Sequence, residues 1–171
     1  YGVKPQSGVP SYIKESMDSI QKVYKLKGLE GKSFDAQKPI PKNEILKLIM
    51  DVVPTQYSAN DINIKALQAG LIESLNEADG TQARRDWAVK MLMALYKFKT
   101  HERIVPTKPA VWQRYQDLSR TNAKYLDAFR FALENAIVQG DGLNNANPDK
   151  IITYGDFIVM LYRTLRLCGE I

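Results

Sequence analysis

The sequence predicts an all-α protein built from helix–loop–helix units, and three observations support this. Apolar residues recur at spacings of three and four along five segments, as on the buried face of an amphipathic helix. Glycine and proline separate these segments. Alternating β-branched runs are absent apart from short extended pieces such as Ile151–Ile152. With 171 residues, 44% of them hydrophobic and 25% charged, the chain has the composition of a folded globular protein rather than a disordered one.

The five periodic segments predict helices over residues 12–26, 43–52, 84–98, 122–138 and 155–167. Gly28 and Gly31 follow the first helix, because glycine is favoured just past a helix C-terminus. Pro39 and Pro41 lead into the second helix, since proline is tolerated near a helix start. Pro54 ends the second helix.

The predicted helix pairs superpose as three copies of one unit. The interval from the residue that ends the first helix to the acidic residue that begins the second is 16, 16 and 20 residues, counted from Gly28 to Glu44, from Gly70 to Asp86 and from Ala136 to Asp156. Since repeats are considered before any other fold, we divide the chain into units over residues 1–54, 55–98 and 112–171, with a proline-containing connector over residues 99–111.

The third unit carries a recognisable order of short motifs. Ile137-Val138-Gln139-Gly140 ends its first helix, Asn147-Pro148-Asp149 forms the loop, and Ile152-Thr153-Tyr154-Gly155-Asp156-Phe157 opens the next helix. This order resembles the S-layer homology (SLH) family, whose pattern is Gly-Ile-Val-x-Gly, a proline-containing loop and Ile-Thr-Arg-Ala-Glu-Phe. The first unit resembles the pattern over about residues 18–50, and the second more loosely over 62–96. The resemblance implies three tandem repeats in a pseudo-threefold helical bundle.

The resemblance also implies a function. Members of this family are non-catalytic modules that bind an anionic secondary cell-wall polysaccharide, often one bearing a pyruvate ketal, in grooves between neighbouring repeats. We therefore expect an extracellular location at a bacterial cell wall, on a larger S-layer protein, surface hydrolase or phage lysin. The expected partner is the anionic glycan, with no nucleic acid, no membrane insertion and no cofactor.

Candidate ligand-binding cations follow from the family's Thr-Arg-Ala-Glu motif, in which the arginine reaches the negative groups of the ligand. At that position we align Lys42, Arg84 and Tyr154. Arginine can hold a carboxylate through two parallel hydrogen bonds, whereas lysine offers a point charge. Arg84 is therefore the first candidate and Lys42 the second, with neighbouring Arg85 included, and the groove at Tyr154 is expected to be weak or inactive.

Aromatic and acidic residues near the connector are further candidates. Trp112 and Tyr115 can stack on a sugar ring or pack beneath the loop. Asp117 stands at the aspartate position of the family's Phe-x-Asp-Val motif, so we include it as a ligand contact. By contrast, acids at helix starts stabilise the helix, which predicts structural roles for three of them, Glu44, Asp86 and Asp156.

Other functional classes are less well supported. The 24 basic and 19 acidic residues give a net charge of +5, which suits nucleic acid, a membrane surface, an acidic polymer or an ordinary solvated surface. The helix after Arg84-Arg85 is too apolar for a recognition helix. The single histidine, His101, and the single cysteine, Cys168, form no catalytic motif, so no enzyme activity is predicted. The main alternative is a helical protein-interaction or assembly domain with degenerate repeats that no longer bind glycan.

Residues 145–156 match the oxygen positions of an EF-hand loop in part. The segment lacks the glycine that such a loop needs at its sixth position, and Pro148 lies within it. Only two carboxylates, those of Asp149 and Asp156, remain as hard anionic ligands. We therefore predict no metal site.

Overall fold

The computed structural model describes residues 9–31, 33–54 and 56–171, and the fold of these residues is all-α, as the sequence predicts. Extended contacts among them are limited to three isolated bridges. Short 3-10 turns connect some of the helices. The helices in this part of the chain are α1 (Ser11–Gln21), α2 (Lys42–Asp51), α3 (Ile62–Gln68), α4 (Arg85–Thr100), α5 (Pro109–Trp112), α6 (Leu126–Glu134) and α7 (Tyr154–Leu167).

Two predicted helices are shorter in the structure than the apolar spacing suggests. The first ends at Gln21, and the apolar residues after it continue into a 3-10 turn over Lys27–Leu29. The segment 122–138 is α-helical as α6 only over Leu126–Glu134. A 3-10 turn over Ala123–Tyr125 precedes α6, and beyond its end Ala136 adopts a positive φ of 56°, which a right-handed helix does not accommodate. Apolar spacing alone marks which residues are buried, whereas backbone conformation decides where a helix stops.

A single hydrophobic core runs through all of the units. The terminal helices meet, since α1 packs along α7, and α4 contacts α2, α6 and α7. No helix of the described residues combines the length and apolar character that a bilayer span requires. The side chains at the centre of the core are fully buried and include Met17, Ile20, Ile45, Leu48, Phe129 and Phe157.

Three buried residues, one ahead of each of α2, α4 and α7, form a closed ring of backbone hydrogen bonds. The N–H of Ile40 donates to the carbonyl of Ile152 (3.1 Å), and the N–H of Ile152 donates to that of Ala83 (3.0 Å). The N–H of Ala83 completes the ring by donating to the carbonyl of Ile40 (3.3 Å). Each residue is 1% exposed or less. Each ring residue donates its N–H to one of the other two residues and accepts at its carbonyl from the other. All three segments must therefore be in place before the buried N–H and carbonyl of any ring residue are both hydrogen-bonded.

Hydrogen bonds at the helix starts link the same three segments, but here the donors run around the ring in the opposite direction. The first N–H groups of a helix have no partner within it. Here those of α2 donate to the loop ahead of α4, those of α4 to the loop ahead of α7, and those of α7 to the loop ahead of α2. The first helical N–H donates over 2.8–2.9 Å in the pairs Lys42 to Thr81, Arg85 to Lys150 and Tyr154 to Lys38. The second donates over 2.8–3.0 Å in the pairs Asn43 to Asp79, Asp86 to Pro148 and Gly155 to Ala36.

Gly155, near the start of α7, lies in close contact with the loop ahead of α2 and with α1. A β-carbon at this position would lie 2.8 Å from Cδ1 of Ile13 and 3.0 Å from the backbone oxygen of Ala36. That oxygen accepts the hydrogen bond of Gly155 and cannot easily move. We expect Gly155→Ala to lower the free energy of unfolding in urea by about 1–3 kcal/mol, outweighing the better helix propensity of alanine.

Gly142 provides the matched control, because a β-carbon there would meet open space. We expect Gly142→Ala to change the free energy of unfolding by less than about 0.5 kcal/mol. Equal stability of the two variants would show that close approach at Gly155 does not constrain the fold.

Candidate functional site

The hydrogen-bond ring sets the register among the three units. Two residues after each ring residue stand Lys42, Arg85 and Tyr154, and each is the first residue of its helix. The prediction that Arg84 is the equivalent of Lys42 is therefore wrong by one residue, since Arg84 immediately precedes α4. Two adjacent arginines made the alignment ambiguous, and only the backbone pairing resolves it.

Arg84 is held by contacts within the protein. Its Nε and Nη2 donate to the carboxylate of Asp86 over 3.2 and 2.9 Å, and Nη2 also donates to the carbonyl of Arg120. Asp86, which is 1% exposed, also accepts from the N–H groups of Trp87 and Asn122. This cluster ties the start of α4 to residues 120–122, so it has a structural role.

Removing the Arg84 cation should destabilise the protein. In Arg84→Gln the buried carboxylate of Asp86 loses two of its hydrogen bonds and its charge partner, which we expect to cost about 1–3 kcal/mol of unfolding free energy in urea. Arg103, exposed in the connector, provides the control Arg103→Gln, which should be near neutral. If Arg84→Gln unfolds at the same urea concentration as the wild type, the structural role is contradicted.

At the first junction, between α2 and the loop before α4, the cation is Lys42, which is partly exposed. Its Nζ lies 5.5 Å from the centroid of the Trp87 ring. Within the described residues no carboxylate lies in ion-pair distance of it. Trp87 itself is 4% exposed and donates from Nε1 to Glu77 over 3.1 Å, so the indole belongs to the core. Lys42 therefore has an ammonium group that an anionic ligand can reach.

At the second junction, between α4 and the third unit, the cation is Arg85. Its Nη2 donates to the carbonyl of Gln139 over 3.1 Å, and its buried Nε has no acceptor. Burial lowers the pKa of Arg85, an effect that Asp156 opposes and the like charge of Arg163 reinforces. The guanidinium remains charged at neutral pH, but the negative charge of Asp156 does not fully offset the effects of burial and of Arg163.

At the third junction, Tyr154 lines a cavity of about 240 Å³ formed with the loop of the first unit. The ring of Phe34 meets that of Tyr154 edge-on at 6.2 Å between centroids. Burial, assisted by Glu44, raises the pKa of Tyr154 to about 12, so the phenol is neutral at physiological pH. Lys38 and Asp35 also line this cavity, so it offers both charged and aromatic groups to a ligand.

Trp112 is anchored within the protein. Its Nε1 donates to Glu134 over 2.8 Å, and Arg130 stacks on its ring at 4.3 Å. The same carboxylate accepts from the N–H groups of Thr107 and Lys108. Glu134 thus fastens the connector to α6, and Arg130 covers one face of the partly exposed indole.

Asp117 and Tyr115 both support the loop of the third unit. The two carboxylate oxygens of Asp117 accept from the N–H groups of Ala146 and Asn147 over 2.8 Å each, and the residue is 4% exposed. The ring of Tyr115 packs against Gly140, so that a β-carbon added to Gly140 would lie only 2.1 Å from Cε1 of Tyr115. Asp117 therefore has a structural role, whereas Tyr115 also lines an open groove.

Turns shape the EF-hand-like segment at residues 145–156 and the loop that leads into it. Asp141 accepts from the N–H groups of Leu143 and Asn145, as in an Asx turn. Asn147 adopts a positive φ of 55°. In the part of the chain that the structure describes, no group of three or more His, Cys, Asp or Glu side chains could hold a metal ion.

Cys168 has the environment of an unreactive thiol. Burial is the main cause that raises its pKa to about 11, and the charge of Glu170 adds to this. A thiol reacts as the thiolate, so a raised pKa lowers reactivity at a given pH. We expect iodoacetamide to label the native protein at pH 8.5 at least about tenfold more slowly than the urea-unfolded chain. Equal rates, followed by mass spectrometry, would contradict this environment.

Comparison with known proteins adds no assignment: no family model matches the chain, and no curated protein is significantly similar to it. Function is therefore inferred from the residues and their geometry.

Sequence reasoning missed two residues that the structure places in open cavities. Lys38 lies beside Tyr154, and Arg166 lies beside Arg163 near the end of α7. The spacing of Arg163 and Arg166, three residues apart on a helix, indicated a shared face. Nothing in the sequence indicated which loop that face would meet.

Proposed function

We propose that this protein is a non-catalytic cell-wall-binding module of three SLH-like repeats in a pseudo-threefold bundle. It anchors a larger surface protein, hydrolase or phage lysin to an anionic, including pyruvylated, secondary polysaccharide of the bacterial cell wall. The observation that carries the proposal is the closed ring of Ile40, Ala83 and Ile152. It relates three helix starts by one repeated set of hydrogen bonds, as expected of three copies of one unit.

The junctions between units are where the glycan would bind. At each of them, the first helical residue of one unit interacts with the third helical residue of the next. Lys42 makes a cation–π contact with Trp87, and the charges of Asp156 and Glu44 act on the pKa values of Arg85 and Tyr154. The three junctions therefore differ in chemistry, and the grooves would differ in their affinity for an anion.

Lys42 is the best cation for the glycan at these positions. Arg85 is covered by Gln139, and Arg84 is paired with Asp86. Lys42 carries its charge over an indole and has no ion-pair partner among the described residues. A lysine contributes a point charge rather than a two-pronged grip, so it suits a carboxylate that approaches from several directions.

The third junction would bind a neutral part of the glycan beside a cation. Phe34 and Tyr154, which are only 3% and 8% exposed, line a cavity of about 240 Å³, and the exposed Lys38 lines the same cavity. Lys38 would replace the cation that Tyr154 does not provide. In this proposal Lys38 meets a negative substituent of the glycan, while the exposed part of Tyr154 contacts the sugar.

Co-sedimentation with purified Gram-positive cell walls tests the function. The protein should pellet with intact walls, and extraction of the secondary polysaccharide should abolish pelleting. Lys42→Ala should reduce the apparent affinity at least about fivefold, since a charge-assisted hydrogen bond contributes about 1.5–3 kcal/mol. The control is Lys22→Ala, at the exposed end of α1, which should bind as the wild type does.

Two results would contradict the proposal. Pelleting that survives extraction of the polysaccharide would show that the glycan is not the ligand. Equal binding by the Lys42→Ala and Lys22→Ala variants would remove Lys42 from the site. Arg84→Ala is unsuitable for this test, because loss of its contact with Asp86 would weaken the fold as well.

A second candidate function is a helical assembly domain. Ile64 and Leu67 are 49% and 38% exposed on α3, and their spacing places them on one face. This function would be favoured if the protein failed to pellet with walls and sedimentation velocity showed concentration-dependent self-association. Ile64→Ser should then abolish the association.

A further inference from the structure

A positively charged groove follows residues 135–142 of the third unit. Two adjoining cavities of about 400 and 450 Å³ form it, and Ala136 and Gln139 line both. The first cavity lies between the end of α6 and the last turns of α7, where Arg163 and Arg166 line it. The second is lined by Arg114 and by the loop around Gly140, which includes one acid, Asp141. The groove thus receives arginines on both sides of the loop.

The arginines of the first cavity lack acidic partners. No carboxylate of the described residues lies within 4.0 Å of the Arg163 or Arg166 guanidinium. Arg163 is partly buried and donates from Nη1 to the carbonyl of Ile137 over 3.2 Å, a contact that supports the loop. Arg166 is exposed and makes no such contact, since its guanidinium lies over the ring of Tyr162. A structural role therefore accounts for Arg163 in part but leaves Arg166 unexplained.

Arg85 adds a third positive charge behind this cavity. It reaches the carbonyl of Gln139 from the side of α4, and its buried Nε has no acceptor. The groups that face these arginines are Asp156 beside Arg85 and the phenol of Tyr12 beside Arg163. Desolvated like charges oppose one another, so a bound anion would stabilise this arrangement.

We propose that the cavity between residues 135–139 and α7 binds the carboxylate of an acidic sugar through Arg163 and Arg166. The exposed amide of Gln139 is placed to bond a hydroxyl of the same sugar. A volume of about 400 Å³ lies within the usual range of small-molecule sites, about 300–1,000 Å³. The inference rests on the proposed function, because it assigns part of the same anionic glycan to a site apart from Lys42 and Tyr154.

Nuclear magnetic resonance titration of the ¹⁵N-labelled protein tests this subsite. The probes are D-glucuronate, D-glucose as the neutral sugar, and acetate as the carboxylate without a sugar. Saturable shifts of the backbone amides of residues 135–139 and of the Arg166 Nε–H are expected with glucuronate and not with glucose. Absence of these shifts with glucuronate, or acetate binding as tightly as glucuronate, would overturn the proposal.

Arg166→Gln is the decisive variant, because the exposed side chain can be changed with little risk to the fold. It should weaken glucuronate binding at least fivefold, whereas Arg103→Gln, an exposed arginine of the connector, should bind as the wild type does. Equal affinity of the Arg166→Gln and Arg103→Gln variants would overturn the subsite. Amide spectra of both variants report directly on whether the fold is retained.

The wall assay separates this subsite from the proposed function. If Arg166→Gln has wild-type affinity for glucuronate while the protein still pellets with walls, only the subsite is wrong. If glucuronate binds at Arg166 but pelleting survives extraction of the polysaccharide, the site binds acidic sugars and the wall function is wrong. Loss of both glucuronate binding and wall pelleting in Arg166→Gln supports both.

Discussion

The ring of backbone hydrogen bonds through Ile40, Ala83 and Ile152 is the constraint on which the rest of the structure depends. These groups are buried, so each unmade bond would leave an unpaired polar group at a cost of about 1–3 kcal/mol. The ring places the helix starts next to the loops that supply their missing carbonyl partners. The three units therefore stabilise one another, although each contributes only a helix pair.

The ring also decides which charged side chains are available to a ligand. It positions Arg84 beside the buried Asp86 and Arg85 beside the carbonyl of Gln139, so the guanidinium groups of both arginines have acceptors within the protein. Lys42, at the same position as Arg85, is partly exposed and makes no ion pair with the described residues. A one-residue difference in register thus separates a structural cation from one that can bind an anion.

Acidic side chains hold the loops by accepting hydrogen bonds from backbone N–H groups. Asp117 and Glu134 each accept from two or more N–H groups, and so hold the loop at residues 146–147 and the connector. With the acids engaged in this way, the arginines along residues 135–142 are left without carboxylate partners among the described residues. The groove is positive because its three arginines outnumber its one acid, Asp141, whose carboxylate accepts from the N–H groups of Leu143 and Asn145.

The sequence by itself determined the all-α class and most of the buried faces, because apolar spacing reports directly on which side of a helix meets the core. It also located the starts of α2, α4 and α7 to within two residues. It could not decide the register of Arg84 and Arg85, the partners of Asp117 and Trp112, or the convergence of Arg163 and Arg166 on the loop at residues 135–139. Those depend on contacts between residues distant in the chain, and only the tertiary structure brings these residues together.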